Sequence, residues 1–482
     1  MRPLFFSFIF FCNSVFASFE MNNRMIQSYN HIINLEFSSA HKLLGIEELE
    51  NNQNRIVELQ KNYIDFLKNI IGEDKDYYSS SRRSKRERIN FISKGDKKSP
   101  YYLYSQAEIY LQWSFIYLKN QEYTLFVYDF IRAHNLYSEN LKKFPDFNLN
   151  NKGLSIIHAL IGAVPNEYQW MLDIIGLKGD IKSALNEMEV VLNTSDLKIY
   201  ESEMIFILTF LQLNLSNDQE IYYRYLNRIG ERYKNNILLN FAAARLASSL
   251  GMNEYCIKIL ENRPRNNNAF SFYYLDYLQA MSYLYKLEFN KSKNYFDLFI
   301  SNFKGENYIK SAYHKLAWIS FLQGNINYSN YLNNVIKYGN NFIDEDRAAL
   351  REAVKANIKS PVLLRARLLY DGGYYKRSLE EILKFNNQNT SEYYYRLARI
   401  QTKLNYNDEI VLSNFDKALK NIDNPKDYYS PMSALQIGLI YEKKSDFDNA
   451  TRYLKICLSF SDFDYERGIH QQARVALDRI SN

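Results

Sequence analysis

Residues 433–458 have the sequence SALQIGLIYEKKSDFDNATRYLKICL. Apolar and small side chains recur in it at the three- and four-residue spacing of one helix face. Ser445 and Asp446 interrupt this spacing and predict a turn between two helices. We therefore predict a hairpin of antiparallel helices that pack closely through small side chains. The predicted core positions are Ile437, Gly438, Tyr441, Phe447, Ala450, Leu454 and Cys457.

Similar hairpins recur along the chain. Small residues mark the predicted close approaches of helices at intervals of 32 to 49 residues: Ala244, Ala280, Ala317, Ala366, Ala398 and Gly438. Only 16 glycines and 8 prolines occur in 482 residues, which favours long helices over the many turns of an all-β fold. The hairpins resemble degenerate tetratricopeptide repeats. This resemblance implies an all-α, right-handed α-solenoid, in which each hairpin buries its apolar face against its neighbours.

The N-terminal residues have the features of a secretory signal peptide. Arg2 supplies a positive charge, residues 4–11 are apolar, and the triplet Val-Phe-Ala ends at Ala17. Phe11 occupies the position where a bacterial lipobox requires a small residue, which argues against lipid attachment at Cys12. Later apolar runs fall short of the roughly 20 residues of a membrane-spanning helix. We therefore expect an exported, periplasmic protein.

Three segments resemble a narrower family. They are SPYYLYSQAEIYLQW at 99–113, Pro165 followed by IGLKGD at 175–180, and RLLYDGGYY at 367–375. They are similar to the tetratricopeptide family of the fungal inclusion-body clearance protein and its animal relatives, in an exported branch from Bacteroidetes-type bacteria. The resemblance implies a helical scaffold without catalytic activity. The cytosolic roles of the eukaryotic members are not expected in a chain with a secretory signal.

Changes in composition divide the chain into six segments. Residues 73–98 combine nine lysines and arginines with few apolar residues, so we predict a solvated connector, with room for one short helix, rather than a lipid- or nucleic-acid-binding patch. An extra helix at 343–358 lengthens one repeat interval. The predicted segments are the signal peptide at 1–17, an N-terminal hairpin at 18–72, the basic connector at 73–98, hairpins with the family-signature turn at 99–200, the repeat array at 201–464 and a capping helix at 465–482.

Patterns typical of catalytic or metal sites do not occur in the sequence. The six histidines are scattered, and there is no H-E-x-x-H or G-x-S-x-G motif. Gly176 and Gly179 lack the Lys-Ser/Thr that would follow in a phosphate-binding loop. Cys256 and Cys457 occupy helix positions of small buried residues, which indicates unreactive core thiols. The net charge of +6 is mild for this length and does not favour nucleic acid. We predict no catalytic residue, metal or cofactor.

The resemblance to tetratricopeptide repeats also suggests where a partner would bind. In those repeats, residues shortly after the small position of the first helix project into a concave groove. Several of the selected side chains are Arg, Lys and Tyr, which suit an acidic peptide or a C-terminal carboxylate. An ordinary solvated face would explain the same pattern. The predicted groove residues are Trp318, Phe321, Arg367, Tyr370, Tyr395, Arg399, Lys403, Glu442 and Lys443.

These features favour a periplasmic adaptor that binds another protein, in cell-envelope or outer-membrane assembly and in peripheral association with an outer-membrane complex. Two alternatives remain. A glycan-binding module of a nutrient-uptake system would use tetratricopeptide helices and aromatic platforms, but it would normally carry a lipobox and large insertions. A peptidoglycan-cleaving enzyme on a helical scaffold would need a catalytic Glu in a dedicated domain, for which the sequence shows no candidate.

Overall fold

A computed structural model describes residues 18–481 except 165–178, 217, 267 and 356–359. Within these residues the chain forms twenty-four α-helices and two short 3-10 helices, and it contains no β-strand. The α-helices are α1 Asn23–Ile33, α2 Phe37–Glu50, α3 Ile56–Gly72, α4 Lys75–Ile92, α5 Tyr101–Lys119, α6 Tyr123–Lys143, α7 Leu149–Gly162, α8 Ile181–Leu192, α9 Glu201–Leu215, α10 Gln219–Ile229, α11 Ile237–Ser249, α12 Asn253–Glu261, α13 Tyr274–Tyr285, α14 Phe289–Asn302, α15 Ile309–Leu322, α16 Tyr328–Lys337, α17 Asp344–Lys355, α18 Pro361–Asp371, α19 Tyr375–Ile382, α20 Ser391–Lys403, α21 Asp408–Lys420, α22 Tyr429–Lys443, α23 Phe447–Ser459 and α24 Glu466–Ser481.

The helices belong to two compact units. The first unit comprises the described residues of Met1–Leu250 together with Tyr255–Leu278 and Phe299–Glu306. The second unit comprises Gly251–Glu254, Gln279–Leu298 and the described residues of Asn307–Asn482. No helix in the described part of the chain is long and apolar enough to cross a membrane.

Consecutive helices pair as hairpins, and a hydrogen bond marks the close approach in several of them. The Ser378 hydroxyl donates to the Ala366 carbonyl at 2.7 Å, and the Ser292 hydroxyl donates to the Ala280 carbonyl at 2.8 Å. The Cys256 thiol makes the same contact with Ala244 at 3.3 Å. In each case the donor lies twelve residues after a fully buried alanine. The all-α class and the solenoid of helix hairpins are confirmed.

The hairpin at 433–458 forms from α22 and α23. A Cβ on Gly438 would lie 2.8 Å from Leu454 Cγ, so the absent side chain permits the close approach. Ala450, Leu454 and Cys457 are fully buried, as predicted. Burial also raises the pKa of the Cys457 thiol to about 12, which agrees with an unreactive core position. Phe447 was expected in the core, but half of its surface is exposed, because it begins α23 beyond the packed turns.

Residues 73–98 are more ordered than a solvated connector with one short helix, because most of them form the 18-residue helix α4, which has a buried stripe. The basic side chains at 85 and 88 continue the helical stripe of Tyr78, Ser81 and Ile92. Arg88 Nη1 lies 2.6 Å from Asp65 Oδ2, and the Lys85 ammonium contacts the Asp129 carboxylate. Carboxylates on α3 and α6 therefore allow these charges to be buried.

The family-signature turn lies largely outside the described residues. Its last two residues can be placed. Asp180 caps α8 by accepting the Ser183 N–H at 2.8 Å. A Cβ on Gly179 would lie 2.3 Å from the His158 carbonyl oxygen. Glycine therefore allows the turn to pack on α7.

Candidate partner-binding site

The predicted groove residues lie on α15, α18, α20 and α22 of the second unit, and the structure brings five of them together. Arg367 Cζ lies 4.9 Å from the centre of the Trp318 ring. Arg399 Cζ lies 4.2 Å from the centre of the Tyr370 ring and 5.4 Å from that of Tyr395. Each arginine directly follows a buried alanine. Arg367 on α18 contacts the Trp318 ring of α15, and Arg399 on α20 contacts the Tyr370 ring of α18 and the Tyr395 ring of its own helix. Cation–π contact holds the two guanidinium groups against these rings.

The other four predicted residues do not join this group. Phe321 packs edge-on against Tyr328, with ring centres 5.4 Å apart. Glu442 is engaged by Arg479 of α24 in two hydrogen bonds of 2.8 Å. Lys403 and Lys443 are exposed.

Further charged side chains complete the group. The sequence pattern placed Asp371 on the groove side but did not select Lys315 or Glu352. Lys315 Nζ lies 3.5 Å from the centre of the Trp318 ring. Glu352 of α17 places its carboxylate 3.3 Å from His314 Nε2 and 3.7 Å from Arg367 Nη1. We call the set Lys315, Trp318, Glu352, Arg367, Tyr370, Asp371, Tyr395 and Arg399 the cationic cluster.

Positive charge exceeds negative charge in the cationic cluster. Arg367 has two carboxylate neighbours, Glu352 at 3.7 Å and Asp371 at 3.8 Å. Among the described residues, neither Lys315 nor Arg399 has a carboxylate within 4.0 Å of its charged nitrogens. Both side chains are only partly exposed. Within the described part of the chain, the cluster therefore holds two cations without a carboxylate in ion-pair contact, although Glu352 and Asp371 act on Lys315, and Asp371 acts on Arg399, from further away.

Burial shifts the pKa values of Lys315 in the cluster and of the neighbouring His314. It lowers the pKa of Lys315 to about 8, because the ammonium has lost much of its hydration. Burial also lowers the pKa of His314 well below its ordinary value, and the nearby Lys315 and Arg367 charges act in the same direction. Burial opposes the charge of Arg399, but Tyr395, Tyr370 and Asp371 outweigh it and raise the pKa of that guanidinium. An anion placed here would meet poorly hydrated positive charge, where electrostatic attraction is stronger than in bulk water.

Two of the three rings of the cluster are covered rather than open, and Tyr370 is partly exposed. Trp318 and Tyr395 are 3 % and 4 % exposed, and cations occupy positions over their faces. A sugar-binding platform presents an open aromatic face, so this arrangement suits a carboxylate better than a pyranose ring. No group of three or more His, Cys, Asp or Glu side chains in the described ranges could hold a metal ion.

A second polar cluster, also missed from the sequence, lies in the first unit around Lys152. Its ammonium is 3.0 Å from Glu108 Oε1, 3.1 Å from Glu203 Oε1 and 2.7 Å from the Tyr63 hydroxyl. Tyr29 donates to Glu203 at 2.6 Å. Burial opposes the charge of Lys152, but the two carboxylates outweigh it and raise its pKa. Every charged group here is satisfied within the protein, so this cluster specifies packing.

Comparisons with known proteins do not identify a family. No family model matches the sequence, and no curated protein matches it significantly. Several solved structures are similar to the chain at low identity. The APC/C hetero-tetramer Cut9–Hcn1 is 12 % identical over 96 % of this chain and 97 % of that one, with a TM-score of 0.26. Yeast Tom70 is 12 % identical over 95 % and 88 %, with a TM-score of 0.25.

A third similar structure is Naa15/Naa10 bound to HypK-THB, at 13 % identity over 95 % of this chain and 66 % of that one, with a TM-score of 0.22. With TM-scores this low, the three structures do not indicate what this chain binds or does. The fold assignment rests on the helix hairpins themselves. The narrower family and its bacterial branch stay predictions.

Proposed function

We propose that this protein is a non-catalytic scaffold that binds a partner protein through a carboxylate-bearing segment at the cationic cluster. The observation that carries this proposal is the pair Lys315 and Arg399, two poorly hydrated cations without a carboxylate within 4.0 Å among the described residues. A carboxylate would neutralise them with charge-assisted hydrogen bonds. Burial of most of the surrounding ring surface leaves the cations as the groups available to a ligand.

The finer parts of this proposal rest on the sequence. The signal-peptide features support export to the periplasm, where the partner would belong to the cell envelope or to an outer-membrane assembly. The partner is unidentified. An acidic side chain and a C-terminal carboxylate share the required chemistry, so a test must separate them.

Fluorescence anisotropy with synthetic peptides tests the proposal directly. The probe is a short, fluorescein-labelled peptide of alternating Glu and Ser with an amidated C-terminus. We expect it to bind, and we expect Arg399→Gln to weaken it by at least about tenfold, because a charge-assisted contact is lost. The control variant is Arg474→Gln, which removes an exposed arginine on α24. Circular dichroism establishes that each variant is folded.

The matching neutral peptide of Gln and Ser should not bind. A Gln–Ser peptide with a free C-terminus separates recognition of the terminal carboxylate from recognition of acidic side chains. Equal affinity of wild type and Arg399→Gln, or tight binding of the neutral amidated peptide, would contradict the proposal. In cells, the double variant Arg367→Glu/Arg399→Glu should lose the partner that co-purifies with the tagged wild-type protein.

A further inference from the structure

Helix α17 is an insertion between two hairpins of the second unit, and one of its faces belongs to the core. Ala349 and Ala353 pack with Ala317, Leu332 and Val335 of the preceding hairpin. Asp346 accepts the backbone N–H groups of Tyr308 at 2.7 Å and Ser311 at 2.8 Å, which caps the start of α15. These contacts anchor the beginning of α17.

Other side chains of α17 contact a segment that is more than a hundred residues away in the chain. Lys355 Nζ lies 2.6 Å from Asp464 Oδ2, and Arg351 Cζ lies 4.8 Å from the centre of the Tyr465 ring. A 12-residue helix is about 18 Å long. This short helix therefore contacts both the hairpin that precedes it in the sequence and a segment that follows it by more than a hundred residues.

Between these two contacts, α17 places Glu352 in the cationic cluster. Its carboxylate is near His314 and Arg367, at 3.3 Å and 3.7 Å. The distance to Arg367 is beyond that of a good hydrogen bond, and the Glu352 side chain is 35 % exposed. A pair that lacks hydrogen-bond geometry is weaker than a short, charge-assisted one, although these partly buried charges still attract each other. The carboxylate thus occupies the cluster without being held tightly.

We propose that Glu352 is an internal occupant of the binding site, and that a partner's carboxylate binds by displacing it from Arg367. Helix α17 then restrains the site, because a ligand must overcome the Glu352 contact and the repulsion between two carboxylates. The anchor between Lys355 and Asp464 keeps Glu352 in place at the far end of the helix. This inference rests on the proposed function, since it assumes that the cluster takes a carboxylate.

The test measures the affinity of the amidated Glu–Ser peptide for the full chain and its variants. We expect Glu352→Gln to raise the affinity by about threefold or more, because one exposed ion pair no longer competes. Asp464→Asn should raise it by less than Glu352→Gln, because the Lys355–Asp464 pair is exposed and Arg351 keeps its contact with Tyr465. The control is Glu380→Gln, which makes the same change of charge on the exposed side of α19.

Hydrogen exchange supplies a second measurement that does not depend on a variant. Addition of the peptide to the wild-type protein should accelerate exchange of the amides around Glu352 in α17, where the side chain loses its contact with Arg367. Amides of α23 serve as the reference within the same molecule.

The outcomes separate this inference from the proposed function. Peptide binding that requires Arg399 but is unaffected by Glu352→Gln, with unchanged exchange in α17, would overturn the inference alone. Failure of the peptide to bind to any variant, including Glu352→Gln, would overturn the proposed function as well. An equal increase of peptide affinity in Glu380→Gln would show that the peptide responds to the net charge of the protein and not to Glu352, which also overturns the inference.

Discussion

Lys152 is 1 % exposed and carries its charge within the first unit. A cation is stable there only because Glu108 and Glu203 face it and tyrosine hydroxyls from three other helices complete the hydrogen bonding: Tyr29, Tyr63 and Tyr137. Removing one member of a buried ionic group leaves the others without compensation.

Lys152→Met should therefore destabilise the protein by about 3–5 kcal/mol, since two buried carboxylates lose their cation. Urea unfolding followed by circular dichroism measures the loss. The control is Lys97→Met, which makes the same substitution at an exposed position and should change the free energy of unfolding by less than about 0.5 kcal/mol. A loss below about 1 kcal/mol for Lys152→Met would show that the carboxylates do not need the ammonium.

Lys315 gives the proposed site a dependence on pH. Its pKa of about 8 means that the ammonium is charged below pH 8 and neutral above it. Arg367 and Arg399 keep their charges, because the pKa of each is raised, and burial holds His314 neutral. Peptide affinity should therefore fall by about three- to tenfold as the pH rises from 7 to 9.5. Lys315→Arg stays charged, so its anisotropy titrations should show no such decrease. A wild-type affinity that is constant over this range would exclude Lys315 as a ligand contact.

At the scale of helices and turns, glycine allows two turns of the second unit to touch. Gly373 follows α18 with φ +81°, and a Cβ there would lie 1.9 Å from the Gly251 carbonyl oxygen. The left-handed conformation alone costs an L-residue roughly 1–2 kcal/mol. Backbone contact adds a clash that no side-chain rotation can relieve.

Gly373→Ala should thus cost clearly more than the matched substitution Gly324→Ala. Gly324 has φ +75°, but nothing lies within 4 Å of its added Cβ. We expect a loss of about 1–2 kcal/mol for Gly324→Ala and of about 3 kcal/mol or more for Gly373→Ala, measured by urea unfolding. Similar losses for the two variants would mean that the turns separate at little cost.

Helices were more predictable than the faces they bury. The spacing of small and apolar residues identified the hairpin at 433–458, since helical periodicity is a local property. The same criterion failed for α4, because its buried stripe includes Lys85 and Arg88, and their carboxylate partners lie on α6 and α3. Of the nine predicted groove residues, five form ring–guanidinium contacts: Arg367 with Trp318, and Arg399 with Tyr370 and Tyr395. Glu442 instead pairs with Arg479, because α24 reaches it from 37 residues further along the chain.

At the scale of the whole molecule, export is the prediction that decides where the partner is sought. Ser18 would begin the mature chain, and its carbonyl oxygen accepts the Arg55 N–H at 3.0 Å. We expect the tagged protein in the periplasmic fraction of its cells, with Ser18 as the first residue by mass spectrometry. Ala17→Phe should remain uncleaved, because signal processing requires a small residue before the cut. A mature chain that retains Met1 would contradict export by this route.

The sequence by itself determined the helical class, the positions of most turns and the small residues at helix contacts. These depend on periodicity, capping and side-chain size over a few tens of residues. Only the tertiary structure decided which charges are compensated. Lys152 meets Glu108 from 44 residues earlier and Glu203 from 51 residues later, and Glu352 reaches the cationic cluster from an inserted helix. Electrostatic partners are chosen by proximity in space, and in an array of packed helices that proximity is set by how the layers stack.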